Sequence, residues 1–576
     1  MKMFRRLTGG VTAAAAAALL LAACGSGGST TTTTAKPSGG SSTTSGASST
    51  TATTTAGGGS GGTATVDMGT APDSLDPQDG YTTQAAEADW ITYTPLLTYA
   101  HKSGEAGAQV IPGLAKALPV VTNNGLTYTL TLRSGLEFSN GTPVKASDFA
   151  YSIERMLKVN WGGDSFITNY VKGAAAYLAG KATSISGITT DDATGKITIQ
   201  LTTPYGAFDN VLAFPAAALV PSGSPMKNEP SNPPPGVGAY IIKNIVPNQS
   251  FELVKNPMFA SFNIPGIPVG HLSTIKVSIT SNTLTEAEQV LSNQVDNFDA
   301  GDTIPPTLYQ KILSTASNRF AKEVDPSTFY FFLNTQIPPF NNQLAREAVN
   351  YAIDRPALQR LASGFLKPEC YFLPPGLPGH SDAPCPYGSL TGGNIAKAKA
   401  LLQQAHLVGA PVTVWGEERS PRKQYVEYYQ GLLNQIGFKA SLKIINDSTY
   451  FPTIGNAKTK AQTGFADWFQ DFPNPSDFYL LLDAKSIQPV NNQNFSNVND
   501  PHIQAALAQL DAVPATQLSS IKSDWQALDK YVAQKAYVVV YGTEELPKFM
   551  STRIDFKTAV FSPLYLNDWS TWQLNK

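Results

Sequence analysis

Five histidines, two late cysteines and a scatter of carboxylates are the side chains here with the types to do chemistry. His101, His271, His380, His406 and His502 lie far apart, and no His-Glu-x-x-His spacing exists to seat a zinc ion. Gly173 and Gly180-Lys181 have the wrong spacing for a Walker A phosphate cradle. Gly58-Gly59-Ser60-Gly61-Gly62 matches the letters of a nucleophile elbow, but no strand precedes it and no helix follows. Glu417-Glu418 is an acid pair of the kind expected as solvated surface rather than acid–base machinery. Cys370 and Cys385 stand 15 positions apart in a Pro/Gly-rich stretch. In an exported chain such a pair favours a disulfide, which would stabilise that loop by about 3 kcal/mol. Two free thiols are the alternative; no flanking His or Cys offers ligand spacing for a metal. No catalytic constellation remains, so the chain is expected to be no enzyme and to need no cofactor and no metal.

The third cysteine has a different context. Lys2, Arg5 and Arg6 form a basic start, residues 11–23 are apolar, and Leu21-Ala22-Ala23-Cys24 ends the run. The apolar stretch is too short to span a membrane, which takes about 20 residues, but it suits a secretory signal over 1–23. Small residues before a cysteine have the form of a bacterial lipobox, which makes Cys24 the acylated first residue of the mature chain. An ordinary signal with an incidental cysteine is the plainer alternative. Residues 25–62 are almost wholly Gly, Ser, Thr and Ala, with Lys36 the single charge. Such a segment buries too little apolar surface to fold, so 24–62 reads as a disordered tether spanning roughly 30–35 Å. The chain is thus expected outside the cytoplasm, lipid-anchored to the outer face of the bacterial cell membrane. Its formal net charge is −2, and loss of Lys2, Arg5 and Arg6 takes the mature chain to −5. With no basic stripe to meet a phosphate backbone, nucleic acid is not expected as a partner.

Residues 63–576 are enough for two or three lobes with a large core. A strand is expected over 65–68, closed by Asp73-Ser74-Leu75-Asp76-Pro77. The aromatic-rich 85–99 reads as a helix or helix-turn. Leu126, Tyr128, Leu130 and Leu132 alternate with threonines, and Ile197, Ile199 and Leu201 repeat that period of two, so both read as strands with one buried face. Phe149, Ile153, Met156 and Leu157 fall on one side of a helix with Ser147 or Asp148 as its N-cap. Residues 240–245 and 251–254 look like paired strands, 329–333 like a buried strand, and 344–353 like an amphipathic helix. Asp354-Arg355-Pro356 starts the next helix. A strand over 412–415 leads through a polar loop (417–422) into a helix reaching 433. Strands mixed with helices throughout give an α/β architecture in several lobes.

Several blocks together resemble the family 5 extracellular solute-binding proteins, the oligopeptide- and dipeptide-binding components of ABC importers. They are Ser74-Leu75-Asp76-Pro77, Pro112-Gly113-Leu114-Ala115, residues 125–157 (GLTYTLTLRSGLEFSNGTPVKASDFAYSIERML), residues 334–355 (NTQIPPFNNQLAREAVNYAIDR) and residues 468–478 (WFQDFPNPSDF). Gly236-Val237-Gly238-Ala239-Tyr240 departs from the family's more usual Gly-Thr-Gly-Pro-Tyr. The resemblance implies a two-lobed periplasmic-binding-protein type II fold with an extra inserted α/β domain. Lobe I would comprise 63–105, 237–332 and 540–576, the inserted domain 106–236, and lobe II 333–539. It further implies a monomer that captures short peptides, or another polar solute, in the cleft and delivers them to ABC permease subunits. The same fold binding a non-peptide solute, or serving as a sensor or pheromone receptor without transport, is the alternative.

The resemblance implies a site as well. Trp468-x-x-Asp471 is similar to the place where peptide-binding members hold the ligand's ammonium on a carboxylate, by charge-assisted hydrogen bonds beside an aromatic face. A plain turn cap at Asp471 with Trp468 in the core is the competing reading. Tyr81, Trp90 and Tyr93 come from the N-terminal lobe, where some should face the cleft, although large rings are most often core. Arg419 and Arg422 follow a strand's C-terminal end and could pair with the ligand's far carboxylate; solvated surface is their alternative role.

Overall fold

A computed structural model describes residues 61–280, 282–299, 304–418, 421–490 and 492–575. Cys24, the expected signal and all but the last two residues of the tether lie outside these, as does Arg419. Among the described residues no helix is long and apolar enough to cross a membrane.

The chain first lays down β1 (Thr63–Met68), whose Ala64, Val66 and Met68 are buried. A small antiparallel sheet follows, made of β2 (Val120–Thr122), β3 (Thr127–Thr131), β4 (Ile188–Asp191) and β5 (Lys196–Gln200) in the order β2-β3-β5-β4. Its alternation is the one the sequence shows: Tyr128, Leu130, Ile197 and Ile199 face inward while the threonines do not. The chain then returns through β6 (Tyr240–Val246), β7 (Ser250–Lys255) and β8 (Thr274–Ile279), completing a sheet ordered β1-β8-β7-β6 with β1 and β8 parallel.

The second lobe is built on one mixed sheet. Its strands are β9 (Phe320–Leu333), β10 (Leu366–Pro368), β11 (Pro411–Glu417), β12 (Lys439–Ile445), β13 (Thr463–Phe469) and β14 (Val538–Phe549), ordered β10-β14-β9-β13-β11-β12. Two large apolar cores result, one around the first sheet and the small sheet, the other around the mixed sheet. The long antiparallel pair β9 and β14 runs from the second core to a smaller third cluster around Phe549. Residues 320–325 lie against 544–549, and 329–332 against 538–542, with the register shifting between Asp325 and Phe329. The boundaries placed at 332/333 and 539/540 from the sequence fall on these two paired strands.

Three helices matter for the site. α1 (Thr83–Asp89) is capped by Thr82, whose hydroxyl accepts from the Ala85 N–H at 3.3 Å. It is shorter than the 85–99 segment suggested, and Leu97–Tyr99 is a strand paired with Val110–Pro112. Pro95 explains the break, since it lacks an N–H and pushes the preceding residue to extended backbone. α2 (Ala146–Lys158) buries Phe149, Ile153, Met156 and Leu157, as its period requires. Its N-cap is Lys145, not Ser147 or Asp148; Asp148 sits one turn in and accepts from the Lys145 N–H at 2.8 Å. α3 (Arg422–Ile436) follows β11. Cys370 and Cys385 form a disulfide, with Cα atoms 5.9 Å apart.

Segments flanking the small sheet touch the second lobe directly. The Gly206 N–H donates to the Asp511 carbonyl at 2.8 Å, and a Cβ at Gly206 would lie 2.1 Å from the Val513 carbonyl oxygen. Phe166 meets Phe472 edge-on at 5.8 Å, and Glu105, from the first-lobe side, pairs with Lys522 at 2.9 Å on the surface.

Candidate functional site

The loop that carries Tyr81 is fixed by a buried charge pair. Arg155 on α2 donates to both Asp76 oxygens, at 2.8 and 2.6 Å, and to Gln78 Oε1 at 2.6 Å. A bidentate guanidinium–carboxylate pair sets orientation as well as distance, so Ser74-Leu75-Asp76-Pro77 acts here as an anchor. Asp73 then holds the Tyr81 and Thr82 N–H groups. Tyr81 leaves this loop half-buried, its ring 5.5 Å from Trp161 and nearly perpendicular to it.

From the other side, β13 ends at Phe469 and delivers Gln470 and Asp471. The turn that follows is held by Asn474, whose side chain accepts from the Ser476 N–H at 3.0 Å. Asp477 looks back from the next turn. It accepts the Asp471 N–H at 2.7 Å and the Trp468 indole N–H at 3.4 Å. Asp477 is almost fully buried, and burial first, then the Asp471 charge, pushes its pKa well above the ordinary carboxylate value. Burial followed by the same two carboxylates likewise raises the Tyr81 hydroxyl.

These parts enclose a cavity of about 40 Å³. Gly80, Tyr81 and Asp89 come from the first lobe, Trp161 and Phe214 from the small-sheet domain, and Gln470 and Asp471 from the second lobe. Leu564 and Tyr565 of the C-terminal segment complete the wall. The described lining contains two carboxylates and no basic side chain, so the cavity favours a cation.

The other expected site residues lie elsewhere. Trp90 is core: it stacks on His101 at 4.1 Å, donates to Thr98 Oγ1 at 3.0 Å, and sits behind Tyr565 at 5.2 Å. Tyr93 is also buried, with its hydroxyl on the Pro234 carbonyl at 2.7 Å, and borders a separate groove of about 690 Å³ between β6 and the 221–236 loop. Arg422 is neither solvated surface nor a lining residue of the cavity. It is wedged between Glu417 (2.7 Å) and Asp467, over the Phe465 ring at 4.9 Å. Burial opposes its charge, but Asp467 and then Glu417 outweigh that and hold the guanidinium firmly protonated. Glu417 is 2% exposed, which corrects its reading as solvated surface. Asp477, Asp89 and Tyr565 escaped the sequence reading; only the short spacing from Asp471 to Asp477 gave any sign.

Comparison with known proteins now has a site to attach to. The description "Bacterial extracellular solute-binding proteins, family 5 Middle" matches residues 109–489. The chain belongs to this family. It is similar to the glutathione-binding protein GsiB of Escherichia coli K12, with 29% identity over 369 residues, 60% of this chain. The chain spans 66% of that relative's length. Among solved structures, clavulanic acid biosynthesis oligopeptide binding protein 2 superposes with a TM-score of 0.81 at 23% identity, covering 90% of this chain and 96% of the other. The unliganded open form of the periplasmic murein tripeptide binding protein MppA gives 0.75 at 22%, covering 90% and 98%. The fold is therefore the two-lobed α/β fold of the family 5 binding proteins, as expected from the sequence blocks.

Proposed function

We propose that this protein is the solute-binding lipoprotein of an ABC importer, that it captures short peptides in the cleft between its lobes, and that it delivers them to a membrane permease. The observation that carries this reading is the small acidic cavity: Asp471 from one lobe faces Tyr81 from the other, with Asp477 behind and no basic residue in the described lining. A terminal ammonium placed there gains charge-assisted hydrogen bonds and an aromatic wall from Tyr81, Trp161 and Tyr565. Trp468 serves by orienting Asp477 through its indole N–H. Trp90, Tyr93 and Arg422 act in this reading as structural supports. The names of the relatives speak of glutathione, oligopeptide and murein tripeptide, all peptide-like compounds, which agrees with an ammonium seat.

A ligand that touches both lobes stabilises their approach, and the paired strands β9 and β14 are the place to bend. The cavity of about 40 Å³ is far below the ~300–1,000 Å³ of ordinary ligand sites, so a peptide needs the lobes further apart than they stand here. The chain is held at the outer face of the cell membrane through acylated Cys24.

Isothermal calorimetry with trialanine and N-acetyl-trialanine tests the seat. Trialanine should bind and the acetylated peptide should not; equal binding, or none by either, refutes the peptide reading. Cys24→Ala should move the protein to the soluble exported fraction or block its processing, and a correctly cleaved variant that stays on the membrane refutes the anchor.

A further inference from the structure

The cavity holds a second carboxyl group that the ammonium seat does not use. Asp89, the last residue of α1, lines the cavity from the first lobe while Asp471 lines it from the second. It is 1% exposed, and its Oδ1 has no hydrogen-bond partner among the described residues. Gly80 keeps the path to it open, because a Cβ there would stand 3.1 Å from Asp89 Oδ2.

The groups around Asp89 are all committed elsewhere. The guanidinium of Arg155, which pairs with the neighbouring Asp76, is spent on Asp76, Gln78 and the carbonyls of Pro225 and Lys227. Asp73 is occupied by the N–H groups of Ser74, Tyr81 and Thr82. Tyr93 directs its hydroxyl to Pro234. Burial, with Asp76 and Asp73 adding, pushes the Asp89 pKa well up, and a cation placed beside it would favour the ionised form. Buried polar groups are normally paired, and one that faces a cavity without a partner points to a ligand group.

We infer that Asp89 is a specificity residue, a second cation seat across the cavity from Asp471, and that it selects solutes carrying a further positive charge near the terminal ammonium, such as a peptide beginning with lysine or a related basic residue. This rests on the reading of the Asp471 cavity as the ligand site. The ammonium sits at Asp471, the second cation reaches past Tyr81 to Asp89, and the rings of Trp161 and Phe214 cover the carbon chain between them. A neutral residue of the same length leaves Asp89 unpaired and loses that contact.

Two matched pairs of probes test it on the full chain by calorimetry. The first pair is Lys-Ala-Ala and norleucyl-Ala-Ala, which have side chains of similar length and differ in one charge. The second is 1,5-diaminopentane and 1-aminopentane, which need no peptide backbone. Wild-type protein should prefer the doubly charged member of each pair by about tenfold or more. Asp89→Asn should bring the two members of each pair within about twofold of each other. Absence of the preference in wild type, or its survival in Asp89→Asn, overturns the inference, and the wild-type arm decides even if the variant does not fold. If neither tripeptide binds but the diamine preference appears and depends on Asp89, the peptide reading fails while the second seat stands. Equal binding of both tripeptides, with no diamine preference, leaves the peptide reading intact and removes the second seat.

Discussion

Replacing Asp471 with asparagine keeps the side chain's shape and removes its charge, so it isolates the electrostatic part of the proposed ammonium seat. Losing one partner of a buried charged pair costs about 2–5 kcal/mol. Two features of the site place this variant near the lower end. Asp471 is half-buried rather than sealed. Asp477 stands directly behind it, and part of what raises the Asp477 pKa is the Asp471 charge itself. Removing that charge lets Asp477 ionise more readily and take over some of the attraction. The expected loss is therefore about 2–3 kcal/mol, or roughly 30- to 150-fold in affinity for trialanine. Asp471→Asn combined with Asp477→Asn should lose more than the two single effects predict, because each carboxylate covers for the other. Calorimetry of the single and double variants, beside melting curves of the empty proteins, measures both. Affinity within threefold of wild type for the single variant would refute the seat. So would a fall in the melting temperature of empty Asp471→Asn as large as that of Asp477→Asn, since that would make Asp471 a structural cap.

Arg422→Ala leaves Glu417 and Asp467 facing each other inside the second lobe, and breaking a buried pair this way destabilises by about 3–5 kcal/mol; urea unfolding showing under 1 kcal/mol would contradict the wedge. Burial pushes Asp529 up to about 7, so the folded state keeps a proton that the unfolded chain gives up near 4. Its contribution is complete below pH 4 and is lost as pH rises to 7, on the order of 4 kcal/mol in all. Asp529→Asn should flatten the stability profile over that window, and an unchanged slope by denaturant titration at pH 4.5 and 7.5 would sink the assignment. Replacing Cys370 and Cys385 together with serine should lower stability by about 3 kcal/mol, as expected for a 15-residue loop; an unaltered unfolding midpoint would mean the bond does not constrain the unfolded chain.

What the sequence made legible was whatever depends on local period. β3, β5 and α2 announce themselves because their inward residues recur every two or every three to four positions. Only the apolar end of β9, about 329–333, could be seen; its other half carries Lys322, Glu323 and Asp325 at half-buried positions, where no alternation develops. The site was harder, for a reason of distance. Asp471 was visible as part of a motif and Tyr81 as an aromatic of the N-terminal lobe, but the ring that completes the wall is Tyr565 rather than Trp90, and nothing local links positions so far apart. Nothing marked Asp89 within the aromatic-rich 85–99 segment, and Glu417 looked like half of a solvated acid pair. In both cases the chain folds other segments over them, and burial by distant residues leaves no mark on their neighbours in sequence.

The contact of Gly206 with Asp511, and of Phe166 with Phe472, lies outside the acidic cavity proper. Any solutes that bind with these contacts in place draw on them equally, whatever their own chemistry. The contacts therefore multiply every affinity by one common factor and drop out of the ratio between two competing solutes. On the proposed reading, preference is written in the cavity by Asp471, Asp89 and the rings between them, while these outlying contacts set the concentration range over which the protein responds. Changes at these contacts can retune the protein to a richer or poorer medium without altering its choice of solute.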